Sequence, residues 1–478
     1  MGSDAGDGYS AEVSHGGVAG ASWKGGAQTV ADPGELRLVD GSRVAVLGGG
    51  PSGTFFSYFL LEMAERLGLA IELDIFEPRD FSRPAPHGCN MCGGIISESL
   101  VQHLAMEGIN LPPTVVQRGI EAYDLHTDAG SVRIETPQHD MRIGSVYRGM
   151  GPRDIKDTRW DSFDGFLQQL ACARGARRIP ERVTKVAMVD GRPELHTRDS
   201  EPRAYDLLAV ATGVNAGAGK MLEGLDFGYA APATTKTFIR EYFLGEETIA
   251  DTLGGSMHVF LLNLPGLEFA ALIPKGDYVS VCLLGDEIND ELVQSFLSDE
   301  AVRACFPPDW SFAARSCQCS PRIAVAGAAH PYADRIVFVG DCAETRLYKD
   351  GIGAAYRTSK LAARTAVFDG ISAAAFEAHY APLLRQIRRD NRVGEFTFGV
   401  TRVIQKLTFA RRGIVRMVAR EQRRAGTNRR MSGVLWDMFT GSASYTSVLL
   451  RTLHPVFLLQ LVWNLGCALV PVRRPQHG

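Results

Sequence analysis

Four cysteines in two close pairs are the side chains of this sequence with the most evident chemistry. Cys89 and Cys92 form a C-x-x-C pair, and Cys317 and Cys319 form a C-x-C pair. Three roles are open: a proton or electron relay at Cys92, disulfide cycling within the first pair, or a zinc or iron–sulfur site on all four thiolates. The alternative is that these thiols are small buried hydrophobic groups. We expect that alternative for the other five cysteines: Cys172, Cys282, Cys305, Cys342 and Cys467.

A glycine-rich turn offers a second kind of chemistry, the binding of a phosphate. Gly48, Gly50 and Gly53 stand in G-x-G-x-x-G register, with Pro51 and Ser52 between the last two. Such a turn uses glycine for its backbone angles and lets a pyrophosphate touch bare backbone at a helix N-terminus, whose free N–H groups attract the anion. The spacing therefore predicts a dinucleotide site.

The elements that must position this turn can be read from the same region. The apolar run Arg43–Leu47 predicts a strand directly before the turn, and Thr54–Leu67 predicts a helix after it. A second predicted strand, Ile71–Phe76, ends at Glu77, whose carboxylate suits the two hydroxyls of an adenosine ribose. This order favours a Rossmann-like unit over an isolated glycine-rich loop, because a strand, a turn, a helix, a second strand and an acid follow one another.

Three downstream segments indicate which dinucleotide is bound. Tyr205–Gly213 predicts a strand ending in Ala-Thr-Gly, Arg335–Asp341 a strand ending in Gly-Asp, and Asp350–Ala355 the start of a helix. This order resembles the FAD-dependent oxidoreductases of the p-hydroxybenzoate hydroxylase-like superfamily, whereas a simple NAD-binding dehydrogenase would not require the Gly-Asp strand. The resemblance implies that Asp341 binds the ribityl–pyrophosphate region. It also implies that the helix N-terminus at 351–353 lies under the flavin pyrimidine, where its dipole stabilises reduced-flavin charge.

Further segments resemble one branch of that superfamily, the geranylgeranyl reductase family. Cys92–Ser97 is similar to its Cys-Gly-Gly-x-x-Ser stretch, in which Cys92 takes the position of the active-site cysteine. Phe163–Ala176 looks like its Phe-Asp helix segment, and Phe269–Val279 looks like its aromatic-rich strand that runs into Pro-Lys-Gly-Asp. The likeness extends from about residue 41 to residue 380. It implies hydride transfer between FAD and a carbon–carbon bond of an isoprenoid- or lipid-like substrate.

Several positions depart from the pattern of that family. Phe269 and Ala271 stand where it has Tyr and Trp, and Thr212 replaces the Asp of the turn through which NADPH, a candidate transient electron donor, would be contacted. The loop at 344–350 lacks the proline that usually faces the flavin and carries charged groups and a phenol instead.

Two sets of site residues follow from these motifs. The predicted catalytic groups come from that loop and the cysteine loop, where a histidine could shuttle protons near neutral pH: Arg346, Tyr348, Lys349, His87 and Cys92. The predicted cofactor contacts are Gly48, Gly50, Pro51, Ser52, Gly53, Glu77, Pro78, Arg79, Cys92, Gly93, Gly94, Ala211, Thr212, Gly213, Gly340, Asp341, Gly351, Ile352 and Gly353.

The whole pattern predicts an α/β fold with three parts. These are a three-layer Rossmann-like FAD-binding domain, an inserted antiparallel-sheet substrate domain and a C-terminal helical appendage. Alternating apolar strands of the inserted part form a roof that suits a lipid-like or aromatic substrate. The predicted boundaries are a disordered arm at 1–38, an FAD-binding domain at 39–100, 141–215 and 319–380, a substrate domain at 101–140 and 216–318, and a basic amphipathic helical region at 381–478.

The net charge of −3 conceals a strongly basic segment. Between Arg385 and Arg430 stand fourteen Lys and Arg and three acids, so this segment carries +11 and the remainder −14. Apolar residues at helical spacing alternate with its arginines, and the later apolar run at 456–470 is too short and too polar to span a bilayer comfortably. The pattern predicts monotopic binding of residues 385–474 to an anionic membrane surface. The alternative is a helical cap whose arginines are solvated or pair with the acidic body; no nucleic-acid recognition element is visible.

Together these features predict a cytoplasmic, peripherally membrane-associated flavoprotein. Nine thinly spread cysteines favour reduced thiols, and the first forty residues show no secretory signal. The expected reaction is hydride transfer to or from a carbon–carbon bond of a hydrophobic substrate, with Cys92 or Tyr348 as proton donor. Two alternatives remain open: a monooxygenase of an apolar or aromatic substrate, and an electron-transfer module that docks a redox protein through its basic face.

Overall fold

The computed structural model describes residues 36–90, 92–136, 143–155, 159–216, 218–225, 227–286, 288–423 and 429–469. The arm predicted at 1–38 therefore lies almost wholly outside the described residues. Its last three residues pack on the body instead of extending from it. Leu38 is buried, and the Leu36 carbonyl accepts a hydrogen bond of 2.7 Å from the Ile371 amide.

The described chain alternates short strands with helices and ends in a run of helices. Its strands are β1 Arg43–Leu47, β2 Glu72–Phe76, β3 Ile95–Ile96, β4 Val116–Ile120, β5 Ala122–Thr127, β6 Gly130–Glu135, β7 Ile143–Val146, β8 Arg177–Ile179, β9 Lys185–Val189, β10 Arg192–His196, β11 Arg203–Ala204, β12 Leu207–Val210, β13 Thr234–Phe243, β14 Ser256–Phe260, β15 Leu267–Pro274, β16 Tyr278–Gly285, β17 Cys317–Cys319, β18 Arg322–Ala324, β19 Tyr332–Ala333 and β20 Ile336–Phe338. Its α-helices are α1 Pro51–Arg66, α2 Glu98–Met106, α3 Phe163–Ala173, α4 Ala218–Met221, α5 Glu246–Thr252, α6 Asp290–Ser298, α7 Glu300–Arg303, α8 Gly351–Arg364, α9 Ala373–His379, α10 Ala381–Lys406, α11 Thr408–Gln422, α12 Arg430–Thr440, α13 Tyr445–Thr452 and α14 Pro455–Leu469.

The first large sheet has six strands in the order β19-β20-β12-β1-β2-β8. All neighbours in it are parallel except β19 and β20, and Val46 at the centre pairs with Ile75 on one side and Ala209 on the other. Its central strands are nearly continuous apolar runs because both faces are covered. Helices α1, α3 and α8 pack on one face, and the small sheet β9–β11 packs on the other.

A second sheet runs in the order β17-β13-β16-β15-β14-β5-β6, with β18 also paired to β13. It is antiparallel except for the pair of β5 and β14. Alternate side chains leave opposite faces of a strand, so Phe260 packs against α6 while Val259 packs towards the C-terminal helices. A third, small sheet joins β3, β7 and β4. The predicted fold class is confirmed.

The C-terminal helices α10–α14 pack against the second sheet and the loop before α8. Some of their arginines pair with acids of that sheet: Arg411 lies 3.4 Å from Asp128, and Arg402 pairs with Glu268. No single described helix is both long enough and apolar enough to cross a membrane, although α13 and α14, bent by 70° at their junction, meet the length and composition requirement together.

Candidate active site

One cavity is lined by both large sheets. Its volume is about 690 Å³, within the ~300–1,000 Å³ range of small-molecule and cofactor sites. The turn between β1 and α1 and the start of α8 line one side, and strands β13–β16 line the other. The cavity therefore meets the carboxyl ends of β1, β2 and β12, the edge at which open α/β sheets bind ligands.

The glycine turn is tight at two positions. Gly48 has φ +102°, and a Cβ there would stand 2.6 Å from the Ala211 carbonyl oxygen. A Cβ on Gly53 would stand 1.8 Å from the Gly48 carbonyl oxygen, so no larger residue fits without opening the turn. No side chain caps the first turn of α1, which follows Gly50 and begins at Pro51. Its N–H groups therefore remain available to an anion in the cavity.

Glu77 sits at the end of β2 with its carboxylate fixed by backbone donors. The Gly49 amide donates to Oε2 at 3.0 Å, and the Arg79 amide donates to Oε1 at 2.9 Å. Glu77, Pro78 and Arg79 all line the cavity, where the carboxylate can also accept hydroxyl donors. This arrangement suits the ribose expected at this position.

A polar network beside this end of the cavity was missed by the sequence analysis. The Arg79 guanidinium donates to Asn90 at 2.7 Å, Asn90 donates to Asp164 at 2.7 Å, and Arg148 pairs with Asp164 at 2.5 Å. Burial lowers the pKa of Arg148, but Asp164 and then Cys92, which also hydrogen-bonds it, more than offset this, so the net shift is upward. A permanently charged guanidinium therefore lies next to the Cys92 sulfur.

The cysteine loop approaches the second sheet closely because two glycines follow Cys92. Gly94 has φ +72°, and a Cβ there would stand 2.0 Å from the Val146 carbonyl oxygen. A Cβ on Gly93 would stand 3.1 Å from Ile273 and 3.2 Å from the Cys282 sulfur. The loop is therefore pressed between β7 and the β15–β16 pair, where only glycine fits.

The four paired thiols lie near one another but do not form a metal-binding group. Among the described residues, no three of Cys89, Cys92, Cys317 and Cys319 bring their sulfur atoms within 4.8 Å of one another, and none of these four forms a disulfide. Burial, together with Cys89 and Glu241 nearby, raises the pKa of Cys317 and Cys319 to about 12. Both thiols therefore stay protonated at neutral pH.

Lys349 presents its ammonium group to the cavity from the loop before α8. It is flanked by Tyr348 at φ +60° and Asp350 at φ +52°, both in the left-handed region that non-glycine residues rarely adopt. Its Nζ lies 3.8 Å from the centre of the Phe269 ring. Burial lowers the pKa of Lys349 to about 7, against a smaller opposing effect of Cys282. The side chain can therefore exchange a proton near neutral pH.

The strained loop is held by the C-terminal helices. Arg346 donates to the carbonyl oxygens of Gly441 and, at 2.7 Å, Ala443, which lie between α12 and α13. From α10, the Asn391 side chain accepts from the Leu347 amide at 3.0 Å and donates to the Thr345 carbonyl at 2.8 Å. Arg346 therefore acts here as a structural clamp, although it also lines the cavity.

Asp341 and the start of α8 line the remaining polar wall. Burial raises the pKa of Asp341, with Thr345 and Arg148 acting in the opposite direction. The first turn of α8 has no side-chain cap, so the amides after Asp350 can meet a polar ligand edge. Gly340 packs on Ser52, where a Cβ would stand 1.9 Å from the hydroxyl oxygen, so this glycine supports the wall from behind.

The wall from the second sheet is apolar. It is built from side chains of four adjacent strands and one C-terminal helix: Ile239, Met257, Phe269, Ala271, Ile273, Cys282, Leu284 and Phe439. The small side chain of Ala271 leaves room beside Phe269 that an aromatic residue would occupy. The roof predicted from the alternating strands thus lines the cavity, and Phe439 is an addition from α12 that no motif indicated.

Most of the predicted site residues meet at this cavity. The predicted residues that line it are Gly48, Gly50, Pro51, Ser52, Glu77, Pro78, Arg79, Cys92, Gly93, Gly94, Ala211, Thr212, Gly213, Asp341, Arg346, Tyr348, Lys349, Gly351 and Ile352. Gly53, Gly340 and Gly353 lie behind the lining. His87 is exposed and is not brought to the cavity. Of the cysteines expected to be buried, Cys172 is exposed and Cys467 is half-buried, so that expectation is wrong for both.

The fold is shared with known flavoproteins, whereas no protein-family model and no curated protein sequence matches the chain. A flavoprotein/dehydrogenase from Cytophaga hutchinsonii superposes with a TM-score of 0.59 at 16% identity, over 88% of this chain and 99% of that one. Halogenase PltM in complex with phloroglucinol and FAD gives 0.55 at 12% identity, over 90% and 91%. The p-nitrophenol 4-monooxygenase PnpA from Pseudomonas putida gives 0.52 at 12%, over 86% and 100%. The chain therefore has the two-sheet fold of these flavoproteins.

Proposed function

We propose that the chain is an FAD-dependent oxidoreductase acting on a hydrophobic small molecule. One observation carries the proposal: a glycine turn, two uncapped helix N-termini and an apolar wall with a buried lysine all line the same cavity. The turn suits the pyrophosphate, Glu77 the ribose, and Asp341 with the start of α8 the polar edge of the isoalloxazine. The fold shared with flavoproteins supports this arrangement.

The chemistry divides between the cofactor and the chain. Bound FAD accepts or delivers two electrons as a hydride. The apolar wall binds the substrate and excludes water. Lys349 holds a proton at Nζ and can exchange it at neutral pH, and its flanking residues fix its position. Cys92 and Tyr348, the groups expected from the sequence, remain secondary candidates for that proton transfer.

We propose reduction or dehydrogenation of a carbon–carbon bond in an isoprenoid- or lipid-like substrate as the reaction. The Cys92-Gly93-Gly94 loop, which resembles that of geranylgeranyl reductases, supports it by its place in the cavity lining, against the apolar wall. NADPH remains the proposed electron donor, with Thr212 and Gly213 at the cavity rim. The test is anaerobic: protein reduced with dithionite is mixed with geranylgeraniol and with lipid that copurifies with it. The expected product gains two hydrogen atoms by mass.

A monooxygenase is the second candidate, because p-nitrophenol 4-monooxygenase shares the fold. The two are separated by supplying reduced protein with isotopically labelled O₂ and the same substrates. Label in the product, together with no turnover without O₂, would assign the monooxygenase. Protein purified without flavin and unable to bind added FAD would contradict both reactions at once.

We also propose that α13 and α14 dock on an anionic membrane surface. Leu459, Val462 and Trp463 form one face of α14 and are 72%, 67% and 63% exposed. Leu450 of α13 and Leu453, which directly follows α13, add two more exposed apolar side chains. The exposed Arg412 and Arg416 lie on the adjacent helix α11. An apolar helical face beside arginines matches the interface of an anionic bilayer.

Vesicle sedimentation tests the docking. Wild type is expected to sediment with phosphatidylglycerol vesicles and much less with phosphatidylcholine vesicles. Leu459→Glu combined with Val462→Glu should abolish sedimentation, whereas Leu67→Glu, at another exposed apolar position, should not. A stable dimer without vesicles, lost in the double variant, would assign the face to a second copy of the chain.

A further inference from the structure

Two histidines and a cysteine converge on the face of the second sheet that is opposite the cavity. His126 is on β5, His258 is on β14, and Cys305 follows α7. The two strands are parallel, with His258 beside Asp124 and His126 beside Phe260, so both imidazoles leave the same face. The neighbouring Met257 leaves the other face and lines the cavity. The cluster is therefore separate from the candidate active site.

The three donor atoms lie close enough together for one metal ion to reach. His126 Nε2 lies 2.9 Å from His258 Nδ1, and Cys305 Sγ lies 3.3 Å from that same Nδ1. All three atoms fall within 4.8 Å of one another. In tetrahedral zinc sites, bonds of ~2.0–2.1 Å to nitrogen and ~2.3 Å to sulfur place nitrogen and sulfur ligands about 3.3–3.6 Å apart. The two shorter separations in the cluster differ from these values by a few tenths of an ångström.

The other ring nitrogen of each histidine has its own partner. His126 Nδ1 lies 2.7 Å from the Ser131 hydroxyl. His258 Nε2 lies 3.4 Å from the Leu253 carbonyl oxygen and 3.7 Å from Asp124 Oδ2. Histidines that bind metals through one nitrogen almost always use the other in this way, which orients the ring and selects the tautomer.

All three side chains are withdrawn from solvent: His126, His258 and Cys305 are 9%, 7% and 3% exposed. A metal ion binds the neutral imidazole of histidine and the thiolate of cysteine. Metal binding here must therefore displace the thiol proton of Cys305.

We propose that His126, His258 and Cys305 bind one zinc ion, which fastens the end of α7 to strands β5 and β14. Imidazole and thiolate are the usual ligands of zinc in proteins, and the Met257 thioether, which a copper site with these ligands would often use, faces the cavity on the other side of the sheet. Binding replaces the S–H bond of Cys305 with a sulfur–zinc bond and releases that proton to the solvent. The fourth position of the tetrahedron is left to a water molecule.

Metal analysis of the full chain tests the site. Protein produced in zinc-supplemented medium and passed through a desalting column is expected to hold about one zinc ion per chain by mass spectrometry. Cys305→Ser should lower this content at least tenfold. Cys172→Ser, at an exposed thiol away from the cluster, should leave it unchanged. Chelation should lower the melting temperature of wild type and of Cys172→Ser, but not of Cys305→Ser.

A cobalt measurement on the unmutated protein keeps the test decisive if Cys305→Ser fails to fold. Metal-free wild type titrated with Co²⁺ is expected to show thiolate-to-cobalt charge transfer and tetrahedral visible bands. Absence of these bands and of bound zinc would overturn the proposal and leave a hydrogen-bond chain from Ser131 through both histidines. Undiminished zinc in Cys305→Ser would overturn it as well. Neither outcome depends on the proposed oxidoreductase activity.

Discussion

The two ends of the cavity are built in different ways. At the glycine turn, consecutive residues meet the cavity and their geometry is set by backbone contacts, such as the close approach of Gly53 to Gly48. At the Lys349 end, residues tens of positions apart in the chain meet, and the loop is held by distant helices through Asn391 and Arg346. Substitutions that add volume should therefore disrupt the glycine turn. Substitutions that remove a charge or a hydrogen bond should disrupt the Lys349 end.

The largest effect is expected from Gly53→Ala. The new Cβ would stand 1.8 Å from the Gly48 carbonyl oxygen, so the turn must open, and overpacking of this kind costs about 1–3 kcal/mol. The purified variant should lack flavin by absorbance and show no turnover. Gly433→Ala is the control: nothing lies within 4 Å of that position in α12, and alanine there should stabilise the helix by up to ~1 kcal/mol. Full flavin content in Gly53→Ala would show that the turn is not tight.

Lys349→Met should retain flavin but lose turnover, because it changes the Lys349 end and leaves the glycine turn intact. Removal of a positioned proton donor lowers kcat by about 10²–10⁴-fold. Because the pKa of Lys349 is lowered to about 7, wild-type kcat should fall as pH rises through that value, and this limb should be absent in the variant. Lys236→Met, at an exposed position on β13, should behave as wild type. An unchanged profile in Lys349→Met would assign the proton to another group.

The same variant should be more stable than wild type at neutral pH. The folded state holds Lys349 at a pKa of about 7, below its unfolded value, so protonation favours the unfolded chain. The gain from methionine is on the order of 1–3 kcal/mol at or below pH 7 and fades towards the unperturbed lysine pKa of about 10.4. Urea unfolding at neutral and alkaline pH measures it, and a gain independent of pH would contradict the assignment.

Asn391→Ala should loosen the Lys349 end without disturbing the glycine turn. It leaves the Leu347 amide and the Thr345 carbonyl without the side chain that pairs them, a cost of about 1–3 kcal/mol for buried groups. We expect lower stability and a weakened kcat with normal flavin content. Gln386→Ala, exposed on the same helix, should change stability by less than about 0.5 kcal/mol. Loss of flavin in Asn391→Ala would mean that the two ends are coupled.

The smallest effect is expected from Cys92→Ser. The serine hydroxyl can keep the contact with Arg148, and with Lys349 as the proton donor the fall in kcat should stay below about tenfold. Cys172→Ser, at an exposed thiol, should match wild type. A loss as large as that of Lys349→Met would return the principal proton transfer to Cys92.

The elements around the glycine turn were predicted well because their signals are local. The predicted strand Arg43–Leu47 has the observed bounds, and the helix predicted at Thr54–Leu67 is observed at Pro51–Arg66. Short apolar runs between glycine turns leave few alternatives in a parallel sheet. The sequence also pointed to the charged loop at 344–350, but it did not show which of the side chains there is the catalytic group. That Arg346 donates to the segment between α12 and α13 while Lys349 contacts Phe269 depends on backbone angles and on the packing of neighbouring helices.

Other features of the structure could not be predicted from the sequence. The Asn90–Asp164–Arg148 network joins two loops and a helix, and the exposure of His87 depends on how the loop before Cys89 packs. Cys305 was grouped with inert buried thiols, although its contact with His258 gives it a possible partner in metal binding. These contacts join residues 16 to 74 positions apart, and no periodicity or spacing encodes such separations.

By itself, the sequence determined the fold class, the glycine turn, the acid at the end of β2 and the separation of an acidic body from a basic C-terminal segment. Each of these follows from local runs, turn residues or summed charge. Only the tertiary structure decided that Lys349 is buried beside Phe269, that α10, α12 and α13 anchor its loop, and that His126, His258 and Cys305 meet behind the second sheet. These are relations between side chains on separate elements, and packing alone sets their distances and burial.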